Sequence, residues 1–182
     1  MIQIVDYDPR WPAQFDAIAA RLGRTFADRA LRIDHIGSTS VPNLPAKSII
    51  DVQVTVRNFD GVAQALVAAG MEMSEFTRDH LPPGKNLAPD QLEKRLAFTR
   101  GEPIEAHVHV RVAGKFNQRY PLLFRDYLRD APEAAAAYGA VKRALARIVI
   151  DDREAYYAVK DPVCDLIMGA ADLWAAKTGW RP

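Results

Sequence analysis

The sequence predicts an α+β fold, with a small sheet in residues 1–114 and a helical region in residues 115–182, which together read as a single domain. Two observations carry this. Apolar and polar residues alternate at 48–56 and again at 105–112, which is the period of half-buried strands. From 116 onward the apolar residues recur at steps of three and four, the period of helices that pack through one face.

The elements follow in order. After a short entry strand, Pro9-Arg10-Trp11-Pro12 leads into a helix whose core stripe is Trp11, Phe15, Ile18, Leu22 and Phe26. Residues 31–36 form a short β-like run, and the prolines and glycine of 37–45 exclude regular structure there. In the strand 48–56, Ile50, Val52, Val54 and Val56 share one face, and Asp51, Gln53 and Thr55 share the other. A helix over 60–69 stops at Gly70, and 71–76 reads as a further strand. Pro82, Pro83, Gly84 and Pro89 mark 77–91 as a long surface loop, of the kind that lies over a site. Residues 94–100 read as a strand with Leu96 and Phe98 inward. The strand 105–112 alternates strictly, with Glu105, His107, His109 and Arg111 opposite Ala106, Val108, Val110 and Val112. Beyond it, Tyr120, Leu123, Phe124, Tyr127 and Leu128 stripe one helix, Ala131-Pro132 breaks it, and helices follow over 134–150 and 153–177, the latter kinked or restarted at Pro162.

Lys and Arg total 24 against 23 Asp and Glu, so no overall field draws the protein to nucleic acid or to an anionic membrane, and any polyanion site must be local. No long nucleic acid is therefore expected as a partner. The single cysteine, Cys164, rules out an internal disulfide and suits a reducing compartment, where a buried, inert thiol is expected. No apolar run is long enough to span a membrane and the start lacks a signal-peptide layout, so a cytoplasmic protein is expected.

The polar strand faces carry the chemistry. Two histidines beside Glu and Arg on one strand, together with Asp51 on another, suit metal or phosphate contacts better than plain solvent exposure. His107 and His109 emerge on the same side, about 6–7 Å apart by strand geometry, and serve as metal ligands, as donors to phosphate or in structure. Gly37-Ser38 precedes Asp51 by twelve residues. A glycine there lets backbone approach a phosphate, hydroxyls and amides donate to it, and Asp51 can hold a divalent cation bridging the same phosphates.

An apolar residue, Gly and Ser, then Asp, apolar, acidic and apolar after a short gap, resembles the signature of the nucleotidyltransferase superfamily; Ile36-Gly37-Ser38 and Asp51-Val52 match it, and Gln53 departs from it. A closer resemblance is to the GrpB (UPF0157) family. It is carried by residues 35–42 (HIGSTSVP), 44–51 (LPAKSIID), 107–110 (HVHV) and 123–129 (LFRDYLR), with the Trp11 helix before them and 152–156 (DREAY) after.

That resemblance implies a nucleotidyltransferase-like small mixed sheet packed on helices, binding a nucleoside triphosphate and Mg²⁺ or Mn²⁺ around Gly37, Ser38 and Asp51. The expected activity is transfer of a nucleotidyl group to a small-molecule acceptor. Asp51, Glu105 and His107 are the expected catalytic residues, and Asp51, Gln53, Glu105 and His107 the candidate metal ligands. Gly37, Ser38, Ser40, Lys47, His109 and Arg125 are expected around the nucleotide. Because a neutral amide is a poor Mg²⁺ ligand, the protein is a one-metal enzyme, an enzyme whose second site Glu105 or His107 completes, or no transferase at all. The alternatives are a non-catalytic nucleotide- or protein-binding module, with dephospho-CoA kinase as a partner, and a metal phosphohydrolase built on His107, His109 and Asp51. Arg119, Arg129, Lys142, Arg143 and Lys160 could add positive potential for a triphosphate, although charges at such spacings usually form a solvated helix face.

Overall fold

The computed structural model describes residues 2–99, 105–150 and 152–182. Helix α1 (Trp11–Phe26) precedes strand β1 (Ala30–Ile36), and a 3-10 turn (Ser38–Ser40) leads on to β2 (Ile49–Val56). Then come α2 (Val62–Ala68), β3 (Glu72–Met73), β4 (Arg95–Thr99), β5 (Glu105–Val112) and three helices, α3 (Phe116–Asp130), α4 (Pro132–Ile148) and α5 (Arg153–Thr178). The architecture is α+β, as the two periodicities predict.

The strands form one open, mixed sheet in the order β1-β2-β5-β4-β3. Among the described strands only β2 and β5 run parallel. Their register sets Asp51 beside His107, Gln53 beside His109 and Thr55 beside Arg111, so the polar halves of the two alternating strands share one face.

The other face is apolar. Ile50, Val52, Val54, Ala106, Val108 and Val110 pack against Trp11, Ile18, Leu22 and Phe26 of α1 and Leu66 of α2. Each such side chain buried from water contributes about 1.5–3 kcal/mol. The polar face is not left to solvent either, because α3 packs on β1 and β5 and a second core, built on Val41, Leu44, Leu123, Leu128, Tyr138 and Met168, joins the turn after β1 to α3, α4 and α5. None of the described helices is long and apolar enough to cross a membrane.

Four local expectations change. The entry strand is a single bridge between Val5 and Ala46. The strand expected at 71–76 is only Glu72–Met73, since Ser74 leaves the sheet to donate its backbone amide to the Leu96 carbonyl. In β4 it is Ala97 that faces the apolar core, while Leu96 and Phe98 sit opposite His109 and His107 on the polar side; Arg100, the expected end of that strand, lies outside the described residues. Helix α5 runs through Pro162 without restarting.

Candidate functional site

The polar face of β2 and β5 opens into a cavity of about 380 Å³ between the sheet, the turn after β1 and helices α3, α4 and α5. Gly37, Ser38, Lys47, Asp51, His107 and His109 all line it. Gly37 has φ +69°, and a Cβ there would come within 2.9 Å of the Asp51 Cγ. Only glycine both tolerates this backbone and leaves room for the carboxylate.

Asp51, His107 and His109 each offer a ligand atom, all within 4.8 Å of one another. Asp51 Oδ1 lies 3.6 Å from His107 Nδ1 and 3.6 Å from His109 Nε2. Burial pushes the Asp51 carboxyl up, but His109, His107 and Lys47 more than offset this, holding it below its ordinary value and ionised.

The neighbours of the two histidines divide their roles. Nε2 of His107 faces Glu105 Oε1 at 3.5 Å, so a proton there leaves Nδ1 with its lone pair turned to Asp51. A carboxylate behind an imidazole is the usual support of a metal-binding histidine. Phe98 packs edge-on against the same ring, with centroids 4.8 Å apart. His109 is supported the opposite way, since Nδ1 lies 3.4 Å from an Arg111 guanidinium nitrogen that can only donate. The proton of neutral His109 is thereby assigned to Nε2, the atom facing Asp51. Burial, with Arg111 and Lys94 adding to it, pushes His109 down to about 4, so the ring is neutral at pH 7.

Four sequence-based assignments change. Gln53 is fully buried and makes no approach to the cavity: its Oε1 accepts from Arg111 at 2.8 Å and its Nε2 donates to the Gln118 carbonyl at 2.9 Å. It stands where the superfamily signature has an acid, yet it is spent on joining β5 to α3. Glu105 does not line the cavity and acts from behind His107. Ser40 turns its hydroxyl onto the Gly37 carbonyl at 2.6 Å, closing the turn from the far side. Arg125 pairs with Asp126 and donates to the His35 carbonyl at 3.0 Å, again supporting the turn from outside the cavity.

Further groups reach the site through partners that no sequence spacing shows. The 77–91 loop does lie over the site and pins itself there through Asp79, which takes Arg111 in a fork (2.8 and 3.0 Å), Lys94 at 2.7 Å and Asn117 at 3.0 Å. From the helices come Lys142, hydrogen-bonded to Ser38 Oγ at 2.8 Å, and Tyr157, which accepts from Lys47 at 2.7 Å. One signal for Lys142 was available: it falls in the buried stripe of α4 with Ala135, Tyr138, Gly139 and Leu145, the spacing of a core-facing position.

A family model described as "GrpB protein" matches residues 1–170. The chain belongs to the GrpB family. A solved GrpB structure from Enterococcus faecalis superimposes with a TM-score of 0.75 at 28% identity, covering 94% of this chain and 99% of that one. Among curated GrpB relatives, a UPF0157 protein of Pseudomonas aeruginosa is 38% identical over 93% of this chain and 67% of its own length. A dephospho-CoA kinase of Mycolicibacterium paratuberculosis is 37% identical over 100% of this chain and 48% of its own. The chain thus spans about half the length of the dephospho-CoA kinases it matches. Cid1, an RNA terminal uridylyl transferase, aligns over 79% of this chain and 41% of its own at TM-score 0.50 and 14% identity, a likeness of fold alone. The fold is nucleotidyltransferase-like.

Proposed function

We propose that this GrpB protein is a nucleotidyltransferase that binds a nucleoside triphosphate with one divalent cation, Mg²⁺ or Mn²⁺, and transfers the nucleotidyl group to a small-molecule acceptor. The observation that carries this reading is the meeting of the Asp51 carboxylate with His107 Nδ1 at 3.6 Å, directly against the Gly37-Ser38 turn. One carboxylate and one supported imidazole suit a single ion that fills its remaining positions with substrate phosphate and water. A second ion does not fit, because Gln53 is committed elsewhere. Bound there, the ion would neutralise phosphate charge and lower the pKa of an attacking hydroxyl.

The chain's own groups complete the site. Asp51 and His107 hold the ion, with Glu105 fixing the His107 ring. His109 Nε2–H and Ser38 Oγ are placed to donate to phosphate oxygens. The cavity has the volume of a small-molecule site, and walls of three helices favour a small acceptor over a long polymer.

Calorimetry with ATP, GTP, CTP and UTP in the presence of Mn²⁺ or Mg²⁺ tests the reading, with pyrophosphate release as the second readout. Binding of at least one triphosphate is expected; a folded protein that binds none of the four contradicts it. Inorganic phosphate released in place of pyrophosphate would favour a phosphohydrolase. A second reading, a non-catalytic module acting beside a dephospho-CoA kinase, is favoured by the loss of a second acidic ligand at Gln53 and by the half-length match to those kinases. It predicts nucleotide binding without pyrophosphate release.

A further inference from the structure

Lys142 is 2% exposed, yet among the described residues no carboxylate lies within ion-pair distance of it. Its hydrogen-bond acceptors are Ser38 Oγ and the Pro45 carbonyl, both neutral, and its Nζ stands 4.7 Å from the centre of the Tyr138 ring. A buried ammonium without a counter-charge is costly, and an incoming anion would relieve that cost. The helix is built to place it there. Gly139, one turn earlier in α4, has no room for a side chain, because a Cβ would lie 2.9 Å from Pro45. This close approach sets Lys142 against the Gly37-Ser38 turn.

Two further lysines converge on the same wall. Lys47 and Lys160 lie over the Tyr157 ring at 5.1 and 5.3 Å, and Lys160 is also paired with Asp161 at 2.7 Å. All three lysines line the cavity, as Ser38 does. Burial, together with the like charges of Lys160 and Lys47, pushes Lys142 down to about 7 against the opposing pull of Asp51.

We propose that Lys142, with Ser38, Lys47 and Lys160, forms an anion subsite that takes the terminal phosphates of a polyphosphorylated ligand, leaving its sugar-proximal phosphate to Asp51 and His107. This rests on the reading that the cavity binds a nucleotide, and it adds that the ligand is recognised by its phosphate chain from the helical side.

The test is calorimetric titration of the full chain and its Lys142→Met and Ser38→Ala variants with inorganic tripolyphosphate, ATP and AMP, each with Mn²⁺. Lys142→Met is expected to weaken tripolyphosphate and ATP by about tenfold or more while changing AMP and Mn²⁺ affinity less than about threefold. Ser38→Ala is expected to show the same pattern more weakly. Equal affinity of wild type and Lys142→Met for tripolyphosphate and ATP overturns the subsite, even with nucleotide binding intact. A loss equal for AMP and ATP also overturns it, because the lysine would then serve the proximal phosphate. Failure of wild type to bind any nucleotide is a different result and counts against the nucleotide reading itself. Thermal melts of both variants separate loss of binding from loss of fold.

Discussion

The Arg111 guanidinium donates to the side-chain oxygen of Gln53 at 2.8 Å across the parallel pair β2-β5. At that position a carboxylate could not simply act as a second metal ligand. It would form a buried ion pair with Arg111 and set a second acceptor against the Gln118 carbonyl, which now receives the Gln53 amide. Gln53→Asp is therefore expected to destabilise the fold by about 1–3 kcal/mol and to leave metal stoichiometry at one ion per chain. Mn²⁺ titration with equilibrium unfolding measures both, and a second ion bound by the variant would show that Gln53 alone withholds the two-metal site.

The two histidines should behave differently when truncated. His107→Ala removes an imidazole turned to Asp51 and should lower Mn²⁺ affinity by about 10–100-fold. His109→Ala should change Mn²⁺ affinity much less and weaken triphosphate binding instead, since its Nε2 carries the proton. Equal losses of metal in the two variants would make both rings ligands.

Gly37→Ala should cost about 1–3 kcal/mol, from a left-handed φ of +69° and from the clash of the new methyl with the Asp51 carboxyl. The displaced carboxylate should also cost metal affinity. A variant of unchanged metal affinity and stability would mean that the turn and Asp51 are not packed as described.

Stability should rise with pH through buried bases whose pKa values folding depresses, His35 at acid pH and Lys142 at alkaline pH, both with the same sign. His35, stacked on Phe15 and hydrogen-bonded to Thr39, is pushed down to about 4 mainly by burial, with Arg129 and Arg125 adding and Asp51 opposing. Between pH 6.5 and 4 the unfolded chain takes up a proton that the folded chain refuses, so stability falls as pH falls through that window, by on the order of 3 kcal/mol from this residue. His35→Gln should flatten that part of the profile, as read by urea unfolding at pH 6.5 and 4.5. Lys142 is likewise pushed down, to about 7, and its cost to the fold is fully present below pH 7 and is relieved as pH rises towards 10.5. Lys142→Met should accordingly raise stability at pH 6 by about 1–3 kcal/mol, the usual sign of a residue kept for binding.

Much of this was legible in the chain because it rests on local pattern. Strict alternation over residues 105–112 and 48–56 placed Asp51, His107 and His109 on polar faces, and the proline-rich 77–91 segment announced a loop above them. What escaped depends on distant partners. No spacing shows that Gln53 is taken up by Arg111 and Gln118, residues brought to it only by strand pairing and helix docking. Arg125 and Ser40 sit beside the right turn in sequence terms, yet both support it from outside. Leu96 and Phe98 read as inward because they are apolar, although the side they face is the site, where a ring packs against His107. Charge alone favoured a solvated face for Lys142 over a triphosphate contact, when its place in the α4 stripe with Tyr138 and Gly139 pointed inward.

The central claim is a one-ion nucleotide site centred on Asp51, and the most direct measurement is calorimetric titration of Mn²⁺ and then of nucleoside triphosphate into wild type and Asp51→Asn. One Mn²⁺ per wild-type chain is predicted, with triphosphate binding that requires the ion, and both should be lost in a folded Asp51→Asn protein. Wild-type and Asp51→Asn chains that bind metal and triphosphate alike would contradict the account.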